Sequence, residues 1–80
     1  MPPPPSGSVV VESRIDGTFE GWTGETVFRL INGQVWQQNR YDYYYHYAYM
    51  PRVTIVQSGS ARYVMSVEGT NRTVEITRLR

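Results

Sequence analysis

Residues 41–50 read Tyr41-Asp42-Tyr43-Tyr44-Tyr45-His46-Tyr47-Ala48-Tyr49-Met50. Tyrosine stands at every odd position, and on a β-strand a period of two sends all such side chains to one face. The stretch therefore predicts a strand with Tyr41, Tyr43, Tyr45, Tyr47 and Tyr49 along one side. The reverse side would carry Asp42, Tyr44, His46, Ala48 and Met50, a mixture that suits neither a dry core nor open water throughout.

The flanks extend the same reading. Pro51 has no amide hydrogen to give a central ladder, so it ends or bends the tyrosine strand. Val53-Thr54-Ile55-Val56-Gln57 resumes β structure, Ser58-Gly59-Ser60 turns, and residues 62–67 return with Tyr63, Met65 and Val67 on one face. After a further turn over residues 68–71, residues 72–79 close the chain with Val74 and Ile76 facing one way. Upstream, residues 25–31 alternate with Phe28 and Leu30 inward. Asn32-Gly33 then predicts a two-residue type I′ hairpin, because Asn-Gly best tolerates positive φ at both central positions. The return strand, residues 34–38, sets Trp36 opposite in parity to Val35.

Residues 9–15 open the domain with Val9-Val10-Val11, and Asp16-Gly17 breaks that strand. Three glycines between positions 17 and 24 argue for a loop, in which Phe19 and Trp22 either form an exposed aromatic clamp or plug an open end of the core. Met1 to Ser8, MPPPPSGS, reads as a disordered Pro-rich leader, with a polyproline ligand as its functional alternative.

Wherever apolar residues recur the spacing is two, and turn residues punctuate the chain every 8 to 12 positions. The fold class is all-β: a single small antiparallel SH3-like barrel of six to seven short strands over residues 9–80. A flat sheet this small would expose a second face and two edges, which closure removes. The expected core is Val10, Phe28, Leu30, Val35, Val53, Ile55, Met65, Val67, Val74 and Ile76.

The 80 residues carry eight Lys plus Arg against seven Asp plus Glu, for a net charge of +1. That balance argues against a general nucleic-acid binder. With no cysteine, disulfides and thiolate-bound zinc are excluded as staples, leaving oligomerisation as the common way for a small β-domain to gain buried area. No apolar run approaches the roughly 18 residues of a membrane span, so the chain reads as soluble with no membrane partner.

One histidine and no cysteine make a poor ligand set, and no metal or cofactor is expected. Asp42 and His46 share a strand face but stand about 13 Å apart along it, too far for a dyad. The Gly-rich segment lacks a Lys-Ser/Thr ending and a following helix, so it is no phosphate loop. No catalytic residue is assigned, and the chain reads as non-enzymatic.

The expected contact surface is Tyr41, Tyr43, Tyr45, Tyr47 and Tyr49, with Trp36 and Trp22. Tyrosine brings large apolar area at small rotamer cost and keeps a hydroxyl for hydrogen bonding. The expected partner is a second copy, making a homo-oligomer, or another protein or peptide. Single-stranded nucleic acid stacking on the rings, with Arg40, Arg52 and Arg62 on phosphates, and a groove for Pro-rich peptide are the alternatives. A structural role, with the phenols packing beside one another as cross-strand partners, is the remaining possibility.

The run Phe28-Arg29-Leu30-Ile31-Asn32-Gly33-Gln34-Val35-Trp36-Gln37-Gln38, with Val53-Thr54-Ile55 and the closing Arg78-Leu79-Arg80, resembles a group of small uncharacterised bacterial β-barrel domains. Those domains share an "L-x-NGQVW-x-Q" hairpin, a "V-x-I" strand and a terminal "RL" or "RLR". The resemblance covers roughly residues 16–80. It implies a bacterial origin and a small barrel; it implies no activity, and the compartment, bacterial cytoplasm or periplasm, is left open. Tyr41-Asp42-Tyr43 is also similar to the "ALYDY" element of eukaryotic SH3 domains, but it lies mid-chain and the paired tryptophans of that family's peptide groove are missing.

Overall fold

A computed structural model describes residues 8–59 and 62–80. The Pro-rich leader expected over residues 1–8 lies outside them, apart from Ser8, the first residue of β1.

Eight strands follow one another: β1 Ser8–Arg14, β2 Thr18–Trp22, β3 Val27–Arg29, β4 Val35–Gln38, β5 Tyr44–Tyr49, β6 Arg52–Gln57, β7 Tyr63–Val67 and β8 Thr73–Arg78. Six form one antiparallel sheet in the order β1-β6-β7-β8-β4-β3, and β2 pairs with β5. The six-stranded sheet curls until its end strands meet. There, Ile15 bridges Leu30, the Asp16 amide donates to the Arg29 carbonyl at 2.8 Å, and the Ile31 amide donates to the Arg14 carbonyl at 3.0 Å. The result is a small SH3-like barrel, the shape that leaves a short chain few exposed edges.

The strand beyond the expected seven is β2. Its glycines read as loop, yet Thr18–Trp22 continues β1 past a corner and pairs with β5 just as β1 pairs with β6. Along this ribbon Arg14 faces Arg52, the Ile15 amide donates to the Pro51 carbonyl, the Met50 amide donates to the Gly17 carbonyl, and Thr18 faces Tyr49. The corner falls where Pro51 withholds its amide. There Met50 takes φ +48°, the left-handed region, and its carbonyl accepts from Arg14 Nη1 at 2.9 Å. The tyrosine strand is thus the far half of a long bent ribbon folded against the barrel.

The core holds Phe28, Leu30, Val53, Ile55, Met65, Val67, Val74 and Ile76, as the alternation predicts, together with Ile15, Phe19, Trp22 and Trp36. Two expected core residues are corrected. Val10 is 43% exposed: the β1–β6 register skips it, pairing Val9 with Val56 and Val11 with Ile55, and this bulge turns Val11 inward instead. Val35 is only half-buried, because β4 has the opposite parity and buries Trp36 and Gln38.

The hairpin turn also differs from expectation. The Gly33 amide donates to the Leu30 carbonyl and the Leu30 amide to the Gln34 carbonyl, both at 3.0 Å, so the loop has three residues, Ile31-Asn32-Gly33. Gly33 alone in it has positive φ, +91°. Asn32 instead uses its side chain, Oδ1 accepting from the Gln34 amide at 3.0 Å, and a three-residue loop ending on a left-handed glycine suits that bonding.

Candidate protein-contact face

The expected tyrosine strand is shorter than residues 41–50: β5 covers only Tyr44–Tyr49, with Tyr41 and Tyr43 before it, but burial alternates over the whole stretch and gives it two unlike sides. Its even-numbered side lies on the barrel. The Tyr44 ring sits 5.1 Å from that of Trp22 and runs parallel to His46 at 6.2 Å. Arg72 covers it, Cζ 4.7 Å from the ring centroid, a cation–π contact. His46 packs 6.5 Å from Phe19, and Ala48 pairs with Phe19 across the ribbon.

Asp42, at the entry to this strand, has a structural task. Its Oδ2 accepts from Trp22 Nε1 at 3.2 Å and meets Arg72 Nη2 at 3.5 Å, while Oδ1 accepts from the Tyr43 amide at 2.9 Å. The Trp22 hydrogen bond above all, then the Tyr43 amide and the positive Arg72, hold its carboxyl below the ordinary aspartate value; partial desolvation opposes them.

Gln38 anchors the approach to β5 from inside. Its Oε1 accepts from the amides of Gly24 at 2.8 Å and Thr26 at 3.4 Å, and its Nε2 donates to the carbonyls of Arg40 and Asp42, both at 3.0 Å. One buried amide thereby satisfies the loop after β2 and the segment before β5, which burial of those backbone groups requires. Gly21 supplies the other constraint. At φ +96° it lies so close to β5 that a Cβ would strike the Tyr44 carbonyl oxygen.

The odd-numbered side faces outward. Tyr41, Tyr43, Tyr45, Tyr47 and Tyr49 are 80, 64, 65, 60 and 71% exposed. Among the described residues none of the five has a ring contact. Opposite Tyr49 stands Thr18 and opposite Tyr45 stands Gly21, so β2 offers no aromatic neighbour to either. Apart from Tyr41, whose ring lies against Gly24, the rings lack the cross-strand packing a purely structural role would give them.

The tryptophans expected in the contact surface are corrected: Trp22 is 0% and Trp36 2% exposed, so both belong to the core. Trp22 plugs it beneath the tyrosine strand, and Trp36 meets Tyr63 edge-on at 5.3 Å while its Nε1 donates to Gln34 Oε1. Both find a hydrogen-bond acceptor for the indole N–H, which is what permits such large rings to be buried. Arg62 pairs with Glu75 at 3.9 Å, and Arg52 lines a depression with Glu12 and Ile31. Tyr41 borders two depressions of ≈ 470 and ≈ 780 Å³, the first shared with Arg40 and Arg62, the second with Gln37 and Asn39.

Sequence reading missed Gln38 and Gly21. Gly21 carried a signal, since glycine inside an alternating segment marks a bulge or a close backbone approach. Gln38 carried none beyond sharing the parity of Trp36.

Among the described residues no three His, Cys, Asp or Glu side chains come together as a metal-binding group, and no helix is long and apolar enough to cross a membrane. No family model, no curated protein and no solved structure matches the chain.

Proposed function

We propose that this barrel is an interaction module with no catalytic chemistry of its own, associating with a second copy or another protein through Tyr41, Tyr43, Tyr45, Tyr47 and Tyr49. The observation that carries the reading is five phenols, all more than half exposed: Tyr45, Tyr47 and Tyr49 along one side of β5, whose other side is spent on the barrel, and Tyr41 and Tyr43 in the segment that leads into it. Tyrosine is enriched in protein contact surfaces because a stiff, large ring desolvates favourably and its hydroxyl still finds a partner. At five rings each exposing about two thirds of roughly 200 Å², the row offers on the order of 700 Å², close to one side of a standard interface.

The near-neutral charge, and the pairing of Arg62 with Glu75 and of Arg72 with Asp42, support protein over nucleic acid as partner. The hairpin resemblance supports a bacterial origin.

Light scattering on wild type and on Tyr43→Ser/Tyr45→Ser/Tyr47→Ser tests the reading. Wild type is expected to gain mass with concentration and the triple variant to stay monomeric while folded. A monomeric wild type that binds single-stranded oligonucleotides in low salt would overturn it in favour of nucleic acid.

A further inference from the structure

We infer that the contact is made edge to edge: β5 pairs antiparallel with β5 of a second copy, joining two β2-β5 ribbons into one four-stranded sheet. This rests on the proposed tyrosine contact and names its partner and geometry.

The first ground is the edge. Among the described residues β5 pairs with β2 alone, so its other side presents unpaired backbone groups. The ribbon's bonding assigns which ones. Because the Met50 amide donates to the Gly17 carbonyl, Thr18 and Tyr49 form a non-hydrogen-bonded pair, and the amide and carbonyl of Tyr49 point away from β2.

The second ground is that this edge, although bulged between Tyr45 and Ala48, lacks proline and charged guards. Residues 43–49 contain no proline, lysine, arginine or carboxylate. The other long edge, on β1, is preceded by four prolines and carries Glu12 and Arg14. Proteins blunt edges with just those residues, and β5 omits them.

The third ground selects a second copy over an unrelated strand. Two antiparallel strands related by a two-fold axis must have that axis perpendicular to the sheet, which keeps both copies the same way up. Residues facing each other across the seam then share parity, so odd meets odd. Every register allowed by symmetry sets tyrosine opposite tyrosine, where β2 sets threonine opposite Tyr49 and glycine opposite Tyr45. The rings gain the cross-strand partners they lack within the chain. Residues 43–49 contain no Asp, Glu, Lys or Arg, so the segment's own copy brings no repulsion between such charges.

Amide hydrogen exchange of the wild-type protein, dilute and concentrated, tests this with light scattering alongside. On association the Tyr49 amide is expected to slow roughly tenfold or more, since a newly paired edge amide exchanges only on dissociation or opening. Tyr49→Pro and Tyr49→Ser both lose the ring and are expected to associate more weakly than wild type, but only Tyr49→Pro also loses the donor, so it is expected to remain monomeric at concentrations where Tyr49→Ser still associates. Association with an unchanged Tyr49 amide would overturn edge pairing and leave contact through the tyrosine face standing. A wild type monomeric at every concentration would overturn both. If Tyr49→Pro does not fold, as read by circular dichroism, the wild-type exchange result decides.

Discussion

The indole N–H of Trp22 donates to the carboxylate of Asp42 across 3.2 Å, joining the most deeply buried ring of β2 to the residue that leads into the tyrosine strand. The bond makes the inner, structural face of residues 41–50 interdependent with the core. Arg72 closes the arrangement, touching the same carboxylate oxygen and the Tyr44 ring. The inner contacts thereby fix the strand from which Tyr45, Tyr47 and Tyr49 project.

This bond sets an acid dependence. The folded-state pKa of Asp42 lies below its ordinary value of 3.8. A carboxyl with a depressed folded pKa contributes stability that is fully present above the unfolded value and is lost as pH falls through the folded one. Wild type is therefore expected to lose stability from about pH 4 downward, and Asp42→Asn to show a shallower loss over the same window. Urea midpoints followed by tryptophan fluorescence at neutral pH and at steps below pH 4 measure it. Parallel acid limbs for the two proteins would detach the effect from Asp42.

The division of labour on β5 explains what was legible in the sequence. Period-two spacing gave the exposed Tyr45, Tyr47 and Tyr49 of β5 and most of the core, because alternation on a half-buried strand is a local property, but it ran the strand back to Tyr41, three residues too far. It failed where a single residue is inserted or a chain turns a corner. The bulge at Val10 reverses the parity of β1, and the glycines of β2 hide a strand that makes sense only opposite β5. Trp36 and Val35 exchanged roles because parity alone cannot decide which face of β4 is inward. The Gln34 acceptor for the Trp36 N–H and the four-partner Gln38 amide are tertiary facts.

Gln38 is expected to be the costliest polar residue to truncate. Gln38→Leu keeps the volume but strands the Gly24 amide and the Arg40 and Asp42 carbonyls, each an unmet group of about 1 to 3 kcal/mol unless water reaches it. A net loss of about 2 to 4 kcal/mol is expected by urea unfolding. Exchange of the Gly24 amide should accelerate more than that of Ile55 in the barrel. A loss below about 0.5 kcal/mol, the usual range for surface changes, would mean that solvent replaces the network freely.

Two left-handed glycines separate backbone conformation from steric closeness. Around Gly33 an added Cβ meets nothing within 4 Å, so Gly33→Ala should cost only the left-handed penalty, about 1 to 2 kcal/mol. At Gly21 the Cβ runs into the Tyr44 carbonyl, backbone that cannot swing aside without parting β2 from β5. Gly21→Ala is expected to cost about 2 to 4 kcal/mol and to expose Trp22, read as a red-shifted emission that Gly33→Ala lacks. Equal losses in the two variants would show that β2 yields easily.

Adjacent tyrosines provide the sharpest contrast. Tyr44 is packed between Trp22 and Arg72 and lies parallel to His46, whereas Tyr45 next to it is 65% exposed with glycine across the ribbon. Tyr44→Ala removes a half-buried ring together with its aromatic and cation–π contacts, for about 2 to 3 kcal/mol of stability. Tyr45→Ala removes little that the folded monomer uses and should stay within about 0.5 kcal/mol. Association should respond in the opposite order: at concentrations where both variants are folded, Tyr45→Ala weakens it and Tyr44→Ala does not. Urea unfolding of dilute samples and light scattering of concentrated ones measure the two quantities separately. A Tyr45→Ala variant that lost stability as a monomer but associated normally would assign the outer ring to the fold rather than to contact.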